Sequence, residues 1–254
     1  MKGPGLFVVL LTALIALPSA TRAAPAPAFP WDDGGYAAFK DRLQDSPSPS
    51  TPQSKPVGRD AFAKPLFQKT LVVGASVSSD FKTASPGRRV ARRLGTEAEL
   101  VERARPGATG AEIVSTLTDA DFAKASVVVG IDLFFWDSRR DCQTGLVAVD
   151  LFFKKAAEHR TPVVVGNIPA LRTGLFGIGG SCREALNARI ASACSENCVL
   201  IDLDRLWTQA AKNGSLIVAG RKLSTSELLP DGLHLSPEAS ELVADRIFDA
   251  ISTR

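Results

Sequence analysis

The chain of 254 residues carries two histidines, His159 and His234, so the search for an acid–base group is short. His234 closes the tetrapeptide Asp231-Gly232-Leu233-His234. An aspartate three residues before an imidazole can orient the ring and stabilise the imidazolium formed when the ring takes a proton. The same four residues would also serve as a plain turn, with His234 packed where the next helix starts. A nucleophile for such a base is Ser76, in Gly74-Ala75-Ser76-Val77-Ser78 directly after the apolar run Leu71-Val72-Val73. A serine just past a buried strand, with glycine beside it, can expose its hydroxyl at the edge of a sheet. It can also lie at a helix N-terminus, where backbone N–H groups stabilise negative charge, or be only a helix cap. The pattern Gly-x-Ser-x-Gly is not met, because Ser78 stands at the last glycine. The order Ser, Asp, His along the chain fits α/β hydrolytic chemistry.

These residues need a frame, and the apolar pattern supplies one. Strands are expected at Leu71–Val73, Ala98–Ala104, Ser126–Ile131, Pro162–Val165 and Val199–Leu203. Helical segments are expected at Pro86–Leu94, Ala108–Leu117, Leu146–Glu158, Arg183–Ala193 and Pro237–Ile251. Five strands separated by helices imply parallel pairing through right-handed crossovers. Continuous Val, Ile and Leu runs fit strands covered on both faces. The expected fold is therefore α/β, a three-layer α/β/α sandwich on a five-stranded parallel sheet, with chemistry at the carboxyl ends of the strands. His159, in Glu158-His159-Arg160 between a helix and a strand, falls at the opposite edge and reads as a surface or helix-capping residue. That leaves His234 as the general base.

Taken together, Gly74-Ala75-Ser76 early in the domain and Asp231-Gly232-Leu233-His234 near its end resemble the first and last blocks of the SGNH/GDSL hydrolase family. Arg105-Pro106-Gly107-Ala108-Thr109 is similar to the block whose glycine gives a backbone N–H to the oxyanion hole. Gly130-Ile131-Asp132 stands where the family has Gly-x-Asn. The resemblance spans about residues 68–252 and implies a flavodoxin-like fold and a serine esterase. In that reading Ser76 attacks, His234 and Asp231 relay the proton, and the N–H groups of Ser76 and Gly107 hold the oxyanion. It implies no metal and no organic cofactor. The substrates would be carboxylic esters of lipids, glycans or small molecules. A catalytically weak module that keeps the fold and binds acyl or glycan groups is the alternative.

Two positions depart from the family pattern. Ala75 replaces the aspartate of Gly-Asp-Ser. Asp132 replaces the asparagine whose side chain donates to the oxyanion, and an ionised aspartate only accepts. Loss of one such donor costs about 10²–10³ in rate. Three accounts are open: a protonated Asp132 that donates, a substitute donor such as Asn167 in Gly166-Asn167-Ile168-Pro169, or altered or lost activity. Asn167 would equally serve as a turn residue before Pro169. The run Leu133-Phe134-Phe135-Trp136-Asp137 should overlook the site, either lining an acyl pocket, stacking on a sugar or packing the core beneath the loop.

The formal charge is +3, and without Lys2 and Arg22 the chain is near neutral, which calls for neither nucleic acid nor an anionic membrane as partner. Residues 1–23 read as a secretory signal. Lys2 precedes the apolar run Leu6–Leu17, and small residues follow it. Cleavage is expected within residues 20–26, with no stable membrane insertion afterwards and a periplasmic or extracellular destination. Export makes disulfides the default for Cys142, Cys182, Cys194 and Cys198, ahead of zinc, because the spacings are irregular and histidine is scarce. Cys142 and Cys182 both lie on the active-site side, so pairing them would tie two loops, with Cys194–Cys198 as a local clasp. Residues 24–65 are rich in Pro and Ser and read as a linker, with one short amphipathic helix expected near Trp31, Tyr36, Phe39 and Leu43. The hydrolase-like domain is expected over 66–254. Arg88, Arg89, Arg92 and Arg93 read as a solvated helix face.

Overall fold

The structure, a computed structural model, describes residues 59–171 and 180–252. The leader and the expected helix near Trp31–Leu43 lie outside the described residues. Along the chain the elements are α1 (Arg59–Leu66), β1 (Thr70–Gly74), α2 (Pro86–Leu94), β2 (Val101–Ala104), α3 (Gly110–Thr116), α4 (Asp119–Lys124), β3 (Val127–Gly130) and α5 (Cys142–Glu158). There follow β4 (Val163–Gly166), α6 (Ser181–Ala193), β5 (Cys198–Ile201), α7 (Leu203–Asn213), β6 (Ser215–Val218), β7 (Arg221–Ser224), α8 (Thr225–Leu228) and α9 (Pro237–Ser252).

The first five strands form one parallel sheet in the order β2-β1-β3-β4-β5. Every residue of β1, β3 and β4 is buried, as their unbroken Val and Leu runs require. Edge strand β2, Val101-Glu102-Arg103-Ala104, instead alternates exposed and half-buried positions. With right-handed crossovers, the single step from β1 back to β2 puts α2 on one face, and the three later steps put α3, α5 and α6 on the other. Accordingly α2 packs on α9, whereas α3 and α6 pack on α5. The expected three-layer sandwich is the observed one. The chain order reverses between β1 and β3, the position at which doubly wound sheets open a crevice.

Ion pairs fix the α2 layer. Arg89 and Arg93 both reach Glu241 on α9, and Arg93 also reaches Asp245. Arg88 meets Asp80, Glu97 and Glu102, and Arg92 meets Glu97. The four arginines are thus not simply a solvated face, because α9 supplies acids that lie some 150 residues away in sequence. The Ser240 hydroxyl on α9 also donates to the Ala84 carbonyl at 2.6 Å. These contacts matter for position, since the chain after Ser76 leads into α2 and the chain after His234 leads into α9.

Four further elements depart from the sequence pattern. Helix α1 lies inside the expected linker, and Ala63 and the following Phe67 are fully buried, so the packed unit begins before residue 66. The front half of the expected second strand is a single 3₁₀ turn, Glu97–Glu99. Helix α7 buries Leu203, Leu206, Trp207 and Ala210 along one stripe and stops at Gly214 (φ +68°). The hairpin β6–β7 turns on Ala219 (φ +49°) and Gly220 (φ +79°), the two left-handed residues of a type I′ turn. Alanine at the first of them hides the usual Asn-Gly signal.

Candidate active site

Ser76 follows β1 and is 6% exposed. It stands in a series of turns, not at the start of a helix, since α2 begins only at Pro86. The Ser79 and Phe81 N–H groups donate to the Ala75 and Ser76 carbonyls at 3.0 and 3.2 Å, which winds the loop tightly beyond the serine. Gly74 has φ +144°, and a Cβ there would come within 2.4 Å of an Asp132 carboxylate oxygen. Only glycine lets β1 end so close to β3.

Asp231, Gly232, Leu233 and His234 form a turn whose centre is the Asp231 carboxylate. Its Oδ1 accepts the backbone N–H groups of Leu233 (3.0 Å) and His234 (2.7 Å). Gly232 supplies the left-handed residue at φ +74°. Oδ2 lies 2.7 Å from His234 Nδ1, and His234 Nε2 lies 3.0 Å from Ser76 Oγ. The structure therefore brings Ser76, His234 and Asp231 into one line of hydrogen bonds across 158 residues of sequence. Partial burial pushes the Asp231 carboxyl up, but the two backbone donors and the imidazole outweigh it and hold it at about 2. It is therefore an anion at neutral pH. His159 lies elsewhere, at the end of α5, stacked on Phe122 and 3.9 Å from Asp119.

Asp132, after β3, faces the loop that carries Ser76. Its Oδ1 accepts from the Ala75 N–H (3.1 Å) and the Ser78 hydroxyl (2.6 Å), and its Oδ2 accepts from the Val77 N–H (2.8 Å). The carboxylate grips the chain on both sides of Ser76. Desolvation pushes its proton affinity up, and these hydrogen bonds oppose the shift. Ser78, which spoiled the Gly-x-Ser-x-Gly pattern, is 1% exposed and is one of the three donors.

Asp137 does the same for the neighbouring loop. It is 1% exposed and accepts the backbone N–H groups of Gly110 and Ala111, the first turn of α3. Thr109 and Glu112 complete that turn as a capping box. The loop before it makes a turn at Gly107 (φ +73°), closed by the Ala108 N–H on the Arg105 carbonyl (3.1 Å), and the Arg105 N–H donates to Gly74 at 3.0 Å. The Gly107 loop is thus stitched to the end of β1. Nothing in the sequence marked Asp137 for this duty beyond its being an acid next to a buried aromatic run.

Asn167 is engaged elsewhere. Its Nδ2 donates to Asp202 at 2.8 Å and its Oδ1 accepts the Asp204 N–H at 2.9 Å, so it ties the β4 loop to the start of α7. One of the two Nδ2 hydrogens is engaged in this way, as a turn residue's would be. Ser76, Asp132, Phe134, Phe135, Asn167 and Leu233 are among the residues lining a narrow, mainly apolar pocket with a cavity of about 40 Å³. Phe134 and Phe135 belong to the core as well, at 1% and 7% exposure, so core and pocket share the aromatic run. Cys142 and Cys182 pair, with Cα atoms 5.5 Å apart, joining the first turns of α5 and α6. Cys194 and Cys198 pair at a Cα separation of 5.0 Å, between α6 and β5. Among the described residues no group of three or more His, Cys, Asp or Glu could hold a metal ion, and no helix is long and apolar enough to cross a membrane.

No protein-family model and no curated protein sequence matches the chain. Solved structures do. The psychrotrophic esterase EstA from Pseudoalteromonas sp. superposes with a TM-score of 0.52 at 16% identity, over 73% of this chain and 97% of that one. An acetyl xylan esterase, AlAXEase, gives 0.52 at 17% identity, over 71% and 98%. A GDSL-like lipase from Bacteroides thetaiotaomicron gives 0.50 at 13% identity, over 87% and 98%. The sheet order, the layers and these superpositions agree that the chain shares its α/β/α fold with these two esterases and this GDSL-like lipase.

Proposed function

We propose that the chain is an exported serine esterase that cleaves carboxylic esters through an acyl-enzyme on Ser76. The observation that carries this reading is the hydrogen-bonded line from Asp231 through His234 to Ser76, at 2.7 and 3.0 Å. His234 Nε2 takes the Ser76 proton as Oγ attacks the ester carbonyl carbon. Asp231, held as an anion, fixes the Nδ1–H tautomer and stabilises the imidazolium. The tetrahedral oxyanion is received by the backbone N–H groups of Ser76 and Gly107, whose loops Asp132 and Asp137 hold. His234 then gives its proton to the leaving alcohol, and a water deprotonated by the same imidazole releases the acid.

Asp132 has its two oxygens directed at N–H and O–H donors of the nucleophile loop, so this mechanism uses it as a brace and takes no oxyanion donor from it. A cavity of about 40 Å³ holds roughly three waters, which suits a short acyl chain. The leader over residues 1–23 and the two disulfides support export. The substrates are esters of small molecules, lipids or glycans. The test is turnover of p-nitrophenyl acetate together with labelling by a fluorophosphonate probe. Both are expected in the wild type and lost in Ser76→Ala. Neither turnover nor labelling in the wild type would leave the chain a binding module for acyl or glycan groups.

A further inference from the structure

One aromatic side chain beside the relay belongs neither to the core nor to the apolar pocket. Phe81 is 42% exposed, one of five large hydrophobic residues left so open among the described residues. Its ring centroid lies 5.0 Å from that of His234, tilted by 57°. It is not among the residues lining the apolar pocket, which contains Ser76 and Leu233 but not His234. The relay therefore has a mainly apolar pocket at Ser76 and an open aromatic side chain at His234.

The backbone around Phe81 is built at a cost. Asp80 (φ +55°) and Lys82 (φ +74°) on either side are both in the left-handed region, and only two other non-glycine residues described share it. The loop is pinned at both ends. The Phe81 N–H donates to the Ser76 carbonyl, the Asp80 carboxylate accepts the Ser85 N–H and pairs with Arg88, and Arg89 donates to Thr83 Oγ1 and to the Ala84 carbonyl. Two strained residues and a set of anchors thus hold one phenyl ring against the imidazole and in water. The exposed Lys82 ammonium stands over the ring at 5.4 Å from its centroid, and Phe81 stays 42% exposed.

We infer that Phe81 is a substrate-binding residue for the alcohol part of the ester, and that it selects alcohols presenting a flat apolar ring face. The inference rests on the esterase reading for its substrate, since it is His234 that must reach the leaving oxygen. The group bonded to that oxygen must then lie beside the imidazole, where Phe81 stands. A ring there stacks on the phenyl face, whereas a short linear alcohol gains little.

The test compares benzyl acetate with ethyl acetate, which share an acyl group and have leaving alkoxides of similar basicity. In Phe81→Ala the ratio of kcat/KM for benzyl over ethyl acetate is expected to fall about five- to tenfold, chiefly through KM, as loss of one aromatic stacking partner implies. Phe81→Trp should keep the ratio, and Phe81→Leu, which retains apolar bulk without a flat face, should not. A second readout needs no turnover: benzyl alcohol added to the protein should shift the His234 imidazole signals in proton NMR in the wild type and not in Phe81→Ala. His159→Gln assigns the two histidines. An equal fall for both esters, or equal shifts in both proteins, would show that Phe81 only steadies His234 and would overturn the inference. Absence of ester turnover with a Phe81-dependent shift would remove the esterase reading and leave the ring site standing. Absence of both would remove the two together.

Discussion

Asp231 and Asp132 approach the same serine from two sides, and their environments are opposite. Asp231 sits in a turn with its side chain 44% exposed, and its partners hold the carboxyl down at about 2. Asp132 sits between strand ends, where desolvation pushes its carboxyl up. The first touches an imidazole, whereas the second touches only the chain on either side of Ser76. Asp137 resembles Asp132, being buried, raised by desolvation and spent on backbone N–H groups. An anion that must stabilise a transient cation works best near water and tightly hydrogen-bonded, so that it never protonates. An anion that must hold backbone in place can be buried, because N–H donors replace its hydration. Under the proposed esterase function, the contrast separates a proton path from the brace that aims it.

The sharpest way to break this division is to remove the path. Ser76→Ala and His234→Ala are each expected to lower kcat/KM on p-nitrophenyl acetate by about 10⁴-fold or more while the melting temperature stays near that of the wild type. The double variant should be no worse than either single one, because the two residues act as a unit. An additive double loss would mean that His234 serves Ser76 only weakly.

Asp231→Asn should cost less, about 10²–10⁴ in kcat, since the ring remains but its tautomer is no longer fixed. The pH dependence has a definite sign. The folded-state value of Asp231 is depressed from 3.8 to about 2, so its contribution to stability is complete above about pH 4 and is lost as pH falls toward 2. Urea titrations of the wild type should therefore show a loss of stability over that acid window that is smaller in Asp231→Asn.

Much of this was legible in the sequence, and the reasons are local. The Val and Leu runs of β1, β3 and β4 announce strands buried on both faces, and their spacing leaves room only for crossovers. Asp231-Gly232-Leu233-His234 is a contiguous turn, so its internal geometry travels with its sequence. The partnership of Ser78 with Asp132 was hidden because 54 residues separate them. Each looked like a defect in a pattern, and each is the other's partner. Asn167 is readable as a polar residue at the right edge of the sheet, but its neighbours Asp202 and Asp204 are the cap and the first turn of a helix, α7, whose apolar stripe the strand-and-helix pattern does not bring out. Phe81 gave no signal at all, because its significance is its exposure next to a histidine brought from 153 residues further on.

The brace yields smaller effects. In Asp132→Asn one carboxylate oxygen becomes an NH₂ group facing a backbone N–H or the Ser78 hydroxyl, with at least one donor left unpaired. Stability is expected to fall by about 1–3 kcal/mol and kcat by about tenfold, as the serine loop loosens. The opposite result, a rise in kcat, would mean that the introduced amide donates to the oxyanion and that the carboxylate was a handicap there. Measured kcat and urea midpoints decide between the two.

Asp137→Asn should have the smallest effect on rate, because Asp137 reaches the oxyanion only through the turn at Gly107. Its clearer readout is stability against pH. Burial raises the folded-state value of Asp137 above 3.8, so between 3.8 and that higher value the folded protein holds a proton that the unfolded chain has released. In that window stability falls as pH rises, the reverse of the Asp231 contribution. Asp132 shares the direction, so the wild type should lose stability on going up from about pH 4 through these two residues, and Asp137→Asn should lose less. The variant's deficit against the wild type is therefore largest below the window and shrinks as pH rises through it. A variant whose deficit is the same at every pH would show that Asp137 titrates alike in the folded and unfolded chains and would overturn this account.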